Sequence, residues 1–235
     1  MNCKNCNTEI DYNFCPNCGQ PKNLKRIDKQ YIMHEIEHVL HFERGILHTV
    51  KELFTNPGKN IRKYLTESRT RLVKPVIFIF LTSLLYTLIN NFFHIEDAYV
   101  NNNVFDNSLI LKIINWIQSH YGYANLLTGI FIAIWLKILF KKYDYNFYEL
   151  LIMLCFVMGI SMIIFSVFAL IEGLVHFKLL GFASIISFLY LILSIVSFFN
   201  DKKIGNYFKA IIAFLFGSIT FYIIIIAIGA NLDFF

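Results

Sequence analysis

Leu150–Ile171 reads LLIMLCFVMGISMIIFSVFALI, twenty-two residues without one charged side chain. At about 1.5 Å per residue, a helix of that length crosses the roughly 30 Å hydrocarbon core of a bilayer. A helix at the surface of a soluble domain would carry a polar face at the 3.6-residue period, and this run is apolar all round. The stretch therefore reads as a transmembrane helix.

Four further apolar runs share its character: Val76–Phe93, Ala124–Phe140, Leu179–Phe199 and Phe208–Ala230. The first two are short for a span, so tilt or snorkelling ends are expected. The composition agrees, with 57% hydrophobic residues, 16% charged residues and 25 Phe. Soluble domains run at about 45–50% apolar and about 25% charged. A soluble enzyme, a disordered chain and a fibrous repeat are excluded on these numbers. The expected fold is an all-α membrane protein with a five-helix transmembrane domain over residues 76–235.

Lys and Arg orient the spans. Residues 1–75 hold 13 of the 21, and the links at 141–142 and 202–203 hold two each. The segment from His94 to Tyr123 holds only Lys112, and the link between the third and fourth spans only Lys178. The bias alternates at each turn, which places the N-terminus in the cytoplasm and the C-terminus outside an inner membrane. The first 20 residues have no apolar h-region, so the first span is expected to act as an uncleaved anchor.

Cys3, Cys6, Cys15 and Cys18 follow C-x2-C-x8-C-x2-C. Two residues between thiolates let a tight turn aim both sulfurs at one ion, and four thiolates suit one structural Zn²⁺. Two disulfides would use the same residues, but the cytoplasmic side disfavours them. The expectation is a zinc ribbon over residues 1–22, its metal saturated by protein and closed to catalysis. Cys155, in the third span, reads as a small packing residue.

Between ribbon and membrane, residues 23–75 read as basic amphipathic helices. Residues 29–55 fit one helix with Ile32, Ile36, Val39, Leu40, Leu47 and Val50 on one face. His34, His38, His41 and His48 lie on the other face. His34, His38 and His41 have spacing that permits a second metal, against the plainer reading of a polar stripe facing water or headgroups. Pro57-Gly58 reads as a break, followed by a helix from about Lys59 to Leu72. Lys59, Arg62, Lys63, Arg69, Arg71 and Lys74 form its basic side and are expected to contact anionic lipid. A net charge of +5 also permits nucleic acid. The arm lacks interleaved aromatics and a recognition fold, however, and the positive-inside bias already accounts for its charge.

These pieces resemble an uncharacterised family of bacterial membrane proteins with an N-terminal zinc ribbon and a Pro-Gly and arginine signature. The resemblance rests on Phe14-Cys15-Pro16-Asn17-Cys18-Gly19-Gln20 and Glu43-Arg44-Gly45-Ile46-Leu47-His48-Thr49. Asn56-Pro57-Gly58, Ile61-Arg62, Tyr64-Leu65, Arg69 and Lys74-Pro75 complete it, and Glu67 stands where the pattern has a glycine. It covers about the first 90 residues and implies topology and zinc, with no activity.

Apart from Lys137 and Lys209 at span ends, the five runs hold no Asp, Glu, Lys, Arg or His. Proton relays and intramembrane enzymes place such groups inside the bilayer. Small residues instead line three spans: Cys155, Gly159, Ser166 and Ala169, then Gly181, Ser184, Ser187 and Ser194, then Ala210, Ala213, Gly217 and Thr220. Such seams let helices approach closely, first within one subunit and otherwise in a homo-oligomer. The outer loop is expected to carry an amphipathic helix near Ser108–His120. The function expected is a non-enzymatic membrane adaptor or accessory protein whose ribbon docks a cytoplasmic protein. The alternative is a small oligomeric channel or pore subunit in a stress or phage-defence system, with the serine-lined fourth span as its lining.

Overall fold

A computed structural model describes residues 2, 8–9, 13–18, 45–67, 71–95, 116–201 and 203–232, the last five as backbone alone. The chain divides into two compact units, Met1–Glu43 and Arg44–Phe235. In the first unit, Asn2 and Glu9 form one antiparallel bridge, and Pro16–Cys18 form a turn behind the buried Cys15. Cys3, Cys6, His34, His38 and His41 lie outside the described residues, as do Arg69 and most of the expected outer-loop helix.

The described part of the second unit is helical and holds no strand. Its named helices are α1 (Ile46–Thr55), α2 (Pro57–Thr66), α3 (Pro75–Phe93), α4 (Tyr121–Leu139), α5 (Phe147–Val175), α6 (Leu180–Phe199) and α7 (Ile204–Leu232). Five of them, α3 to α7, are long and apolar enough to cross a membrane. Each corresponds to one of the five apolar runs, with shifted ends.

The shifts have local causes. α5 starts three residues before the apolar run because Asn146 and Glu149 form a capping box. The Asn146 Oδ1 accepts from the Glu149 amide at 2.9 Å, and the Glu149 carboxylate accepts from the Asn146 amide at 2.7 Å. At its other end α5 runs on to Val175, and His176 turns it off in the left-handed region at φ 57°. Glu172, expected just beyond the span, is a buried residue within α5. Its carboxylate accepts from the Leu179 and Leu180 amides at 2.7 and 3.0 Å, which puts negative charge on the N-terminus of α6. α5 is 29 residues long, so it stands about 44 Å tall and outruns the hydrocarbon core.

Two expectations ahead of the spans are corrected. No single helix covers 29–55, because Gly45 has φ 57° and ψ 144° and α1 begins after it. A helix cannot pass through that conformation, which only glycine adopts without strain. The break at Pro57-Gly58 stands, since α1 ends at Thr55 and Asn56 is non-helical, but the second helix has other bounds. Pro57 occupies the first turn of α2, where its missing N–H costs nothing, and the helix ends at Thr66 rather than near Leu72.

α5 is the central post. It packs against α3, α4 and α6, and at its first end against α1 and α2, while α7 lies outside against α4 and more lightly against α6. Every residue from Met153 to Met162 is buried. The all-round apolar character of this run thus comes from being surrounded by protein. The outer helices keep exposed apolar faces, such as Leu84, Leu85 and Leu88 on α3 and Leu215, Phe216 and Ile219 on α7. Faces of this kind suit lipid and not water.

The small residues of α7 pack within the chain. A Cβ on Gly217 would lie 2.6 Å from the Ile132 Cα, so α4 and α7 meet backbone to backbone there. Ala210 and Ala213 are fully buried on the same helix. Trp135 of α4 donates to Thr220 of α7 at 3.0 Å. On α5, Gly159 makes room for the Phe78 ring of α3.

Candidate functional site

The densest set of long-range polar contacts lies where α1 and α2 sit against the first end of α5 and the last turn of α6. Leu53, Ile61, Tyr64, Leu72 and Val73 belong to the same buried cluster as the spanning helices. α1 and α2 are therefore part of the bundle's own core. Tyr64 places its ring edge-on to Phe156 of α5, with centroids 5.1 Å apart. Tyr190 of α6 donates to the Leu53 carbonyl at 3.1 Å.

Polar bonds hold the α1–α2 corner. Asn60, itself buried, donates to the Glu52 carbonyl at 2.7 Å. Arg71 bonds the Glu52 carboxylate at 2.9 Å. The Val73 amide donates to the buried Thr49 hydroxyl at 3.1 Å, which fixes the approach to α3. Lys74 then takes ψ 129°, the extended backbone that a following proline requires.

Arg62 makes the longest reach. Its guanidinium donates to the Phe198 carbonyl at 2.8 Å and to the Ser197 carbonyl beside it. Those carbonyls belong to the last turn of α6, where a cation is favoured, and the Ser197 carbonyl also accepts from the Asn200 amide at 3.2 Å. Gly58, one turn earlier on α2, lies against the same peptide, and a Cβ there would fall 2.5 Å from the Phe198 amide nitrogen. A glycine that admits the strand of backbone and an arginine that bonds it act as one clasp between α2 and α6.

Of the six cations expected at the lipid surface, Arg62 and Arg71 are thus engaged inside the protein. Lys59 and Lys74 are exposed, Lys63 lies 3.9 Å from Glu67 on the next turn, and Arg69 lies outside the described residues. His48 does not face solvent freely, because its Nε2 is enclosed with no hydrogen-bond partner among the described residues.

A second polar knot ties the links before α5 and before α7. Tyr143 donates to the Asp201 carboxylate at 2.7 Å, and Lys142 approaches the same oxygen at 3.2 Å. Asn206 bonds the Tyr143 hydroxyl at 3.0 Å and the Asp201 carbonyl at 2.8 Å. The Tyr143 hydroxyl, joined by the Lys142 ammonium, holds the Asp201 carboxyl well below the usual carboxylate range. Burial pushes the Tyr145 hydroxyl up. Phe140 stacks on Phe199 with centroids 4.1 Å apart beneath this knot. The clasp and the knot both pin the first end of the bundle.

No group of three metal-binding side chains occurs among the described residues, a set that lacks Cys3 and Cys6. The half of the tetrad that is described is compatible with a metal. Cys15 is 3% exposed, Cys18 follows across the Pro16–Cys18 turn, and Asn17 reaches the Thr8 hydroxyl at 3.4 Å. A tight turn between two thiolates is what a shared tetrahedral ion needs.

Sequence patterns alone did not give Glu52, Asn60 and Asp201, nor the destination of Arg62. Their partners lie on other helices or links, outside any helical period. The Pro-Gly pair was visible but carried the signature of a turn, which hid the close approach at Gly58.

The family described as "Protein of unknown function (DUF3667)" matches residues 43–87. That stretch takes in α1, α2 and most of α3, and so holds Glu52, Gly58, Asn60, Arg62 and Arg71. No curated protein and no solved structure matches the chain.

Proposed function

We propose that this chain is a non-enzymatic integral membrane adaptor whose cytoplasmic N-terminal zinc ribbon docks a protein partner. The observation that carries the reading is the division after Glu43. The residues that follow it belong to α1 and α2, which are built into the bundle core, while the cysteine tetrad lies in a unit of its own. A separate ribbon on a pinned base suits a docking element. Cys3, Cys6, Cys15 and Cys18 hold one structural zinc in this reading, and the metal supplies folding free energy to a segment with too little core to fold by itself. Lys59, Lys63, Arg69 and Lys74 then meet the anionic cytoplasmic leaflet.

In-membrane cross-linking tests the adaptor role, using the amines of Lys4, Lys22, Lys25 and Lys29. The full chain should capture one protein in constant ratio through residues 1–43. A chain lacking those residues should insert to the same level and lose the capture. Undiminished capture by the shortened chain would remove the ribbon from the function.

The pore reading is constrained by one feature. α5 fills the centre of the single chain with side chains such as Met153, Phe156 and Ile160, so any aqueous path would run between copies. Orientation has its own test. Reporter fusions at Asn7 and after Phe235 should report the cytoplasm and the outside respectively, from the alternating Lys and Arg bias. Two reporters on one side would overturn the five-span topology.

A further inference from the structure

In the half of the bundle away from the α2–α6 clasp, α4, α5, α6 and α7 line a half-open cavity of about 470 Å³. This volume falls within the roughly 300–1,000 Å³ of small-molecule sites. Among the described residues its lining includes no Asp, Glu, Lys, Arg or His. Going along each helix, Met158, Leu191 and Phe214 line it near mid-bundle, while Tyr121, Ser184 and Tyr222 line it nearer the far end. Between these levels lie Asn125, Ser161, Ser187 and Ser218.

The hydroxyl of Ser187 distinguishes the cavity from a packing defect. Ser187 is 5% exposed, and its Oγ has no hydrogen-bond partner among the described residues. A serine on a helix normally bonds a carbonyl one turn back, as Ser161 does to Val157 at 3.2 Å. A buried hydroxyl without a partner loses about 1–3 kcal/mol, so a group that satisfies it is favoured. Asn125, an amide in the lining, donates to the Ser83 hydroxyl at 3.2 Å.

We propose that this cavity binds an uncharged lipid, with a hydrocarbon chain among Met158, Phe188 and Phe214 and a hydroxyl or ester group on Ser187. A charged headgroup would meet no counter-charge among the described lining residues and is disfavoured by desolvation. The source of the ligand is the bilayer itself. Ile185 and Leu189 of α6 and Leu215 and Ile219 of α7 are exposed apolar residues beside the cavity, and these two helices pack only lightly on each other. The site lies wholly within the second unit and does not depend on the ribbon's role.

The test uses the full chain in vesicles with a diazirine-bearing monoacylglycerol, and with a diazirine-bearing alkane as its apolar control. Photolabelling by the monoacylglycerol should saturate and map to α5, α6 and α7. Ser187→Ala keeps the space and removes the hydroxyl. It should weaken the monoacylglycerol about fivefold, or ~1 kcal/mol, and leave the alkane unchanged. Ser218→Phe fills the space and should abolish saturable labelling by both. Should that variant fail to fold, the Ser187→Ala comparison decides by itself. Labelling that does not saturate, that maps only to exposed faces, or that is equal in wild type and Ser187→Ala would overturn the proposal. So would preferential labelling by a diazirine-bearing phosphatidylglycerol, because the site would then take a charged lipid.

Discussion

Gly58→Ala should lower the thermal midpoint of the solubilised protein by roughly 6–12 °C. The new methyl group would land on the backbone of Ser197 and Phe198 at the last turn of α6. Backbone cannot turn aside as the end of a flexible side chain can, so α2 must move off α6. Overpacking of this kind costs about 3 kcal/mol at the upper end of its usual range. For a unit of this size, each kcal/mol shifts the midpoint by about 2–4 °C. The displacement would also pull Arg62 away from the two carbonyls it bonds. Arg62→Ala by itself should cost about 1.5–3 kcal/mol, the range for hydrogen bonds to a charged group. Both carbonyls accept from the one nitrogen Nη1, so Arg62→Lys, whose ammonium also carries several N–H donors, should recover part of the loss. The double variant should lose less than the sum of the two, since both changes release the same peptide. Thermal unfolding of wild type and the four variants in one detergent is the measurement. A Gly58→Ala midpoint equal to that of wild type would mean that α2 and α6 are not in contact as described.

Cys15→Ser should empty the N-terminal site and leave the bundle in place. Four thiolates are expected to hold about one Zn per chain, and loss of one leaves an incomplete tetrahedral set. Structural zinc binding in such small units is worth about 10–16 kcal/mol and is also their folding free energy. The substitution should therefore unfold residues 1–20 outright. Elemental analysis should fall from about one zinc per chain towards none, and hydrogen exchange over residues 1–20 should reach the rate of an unstructured peptide. Membrane level should hold, because α3 to α7 satisfy their backbone groups within their own helices. Partner capture should disappear with the ribbon. A wild-type protein that is metal-free with a protected ribbon would remove the zinc from this account. A serine variant that keeps both zinc and capture would point to other ligands.

Much of the architecture is one-dimensional information. A bilayer requires about 20 apolar residues in a row and forbids unsatisfied backbone inside, so spans can be read from composition along the chain. Helix ends were less legible, because they depend on single caps. Asn146 with Glu149 starts α5, and His176 at φ 57° ends it. Gly45 has the same kind of local effect, and it splits what the hydrophobic period had joined into one helix.

The sequence by itself determined the number of spans, the polar and basic character of the first 75 residues, and the cysteine tetrad with metal-ligand spacing. Tertiary structure alone decided which faces of those helices meet. Arg62 reads as one more cation on a basic face until the Phe198 carbonyl, 136 residues away, comes within 2.8 Å. Leu150–Ile171 reads as a helix in lipid, yet its Met153–Met162 stretch became the protein-enclosed post around which the others pack. Ser187 reads as one small residue in a seam until three other helices line a half-open cavity with it. The physical reason is common to all three. Burial in lipid and burial in protein impose the same apolar pattern on a helix, so the pattern marks a span without saying which neighbour covers which side.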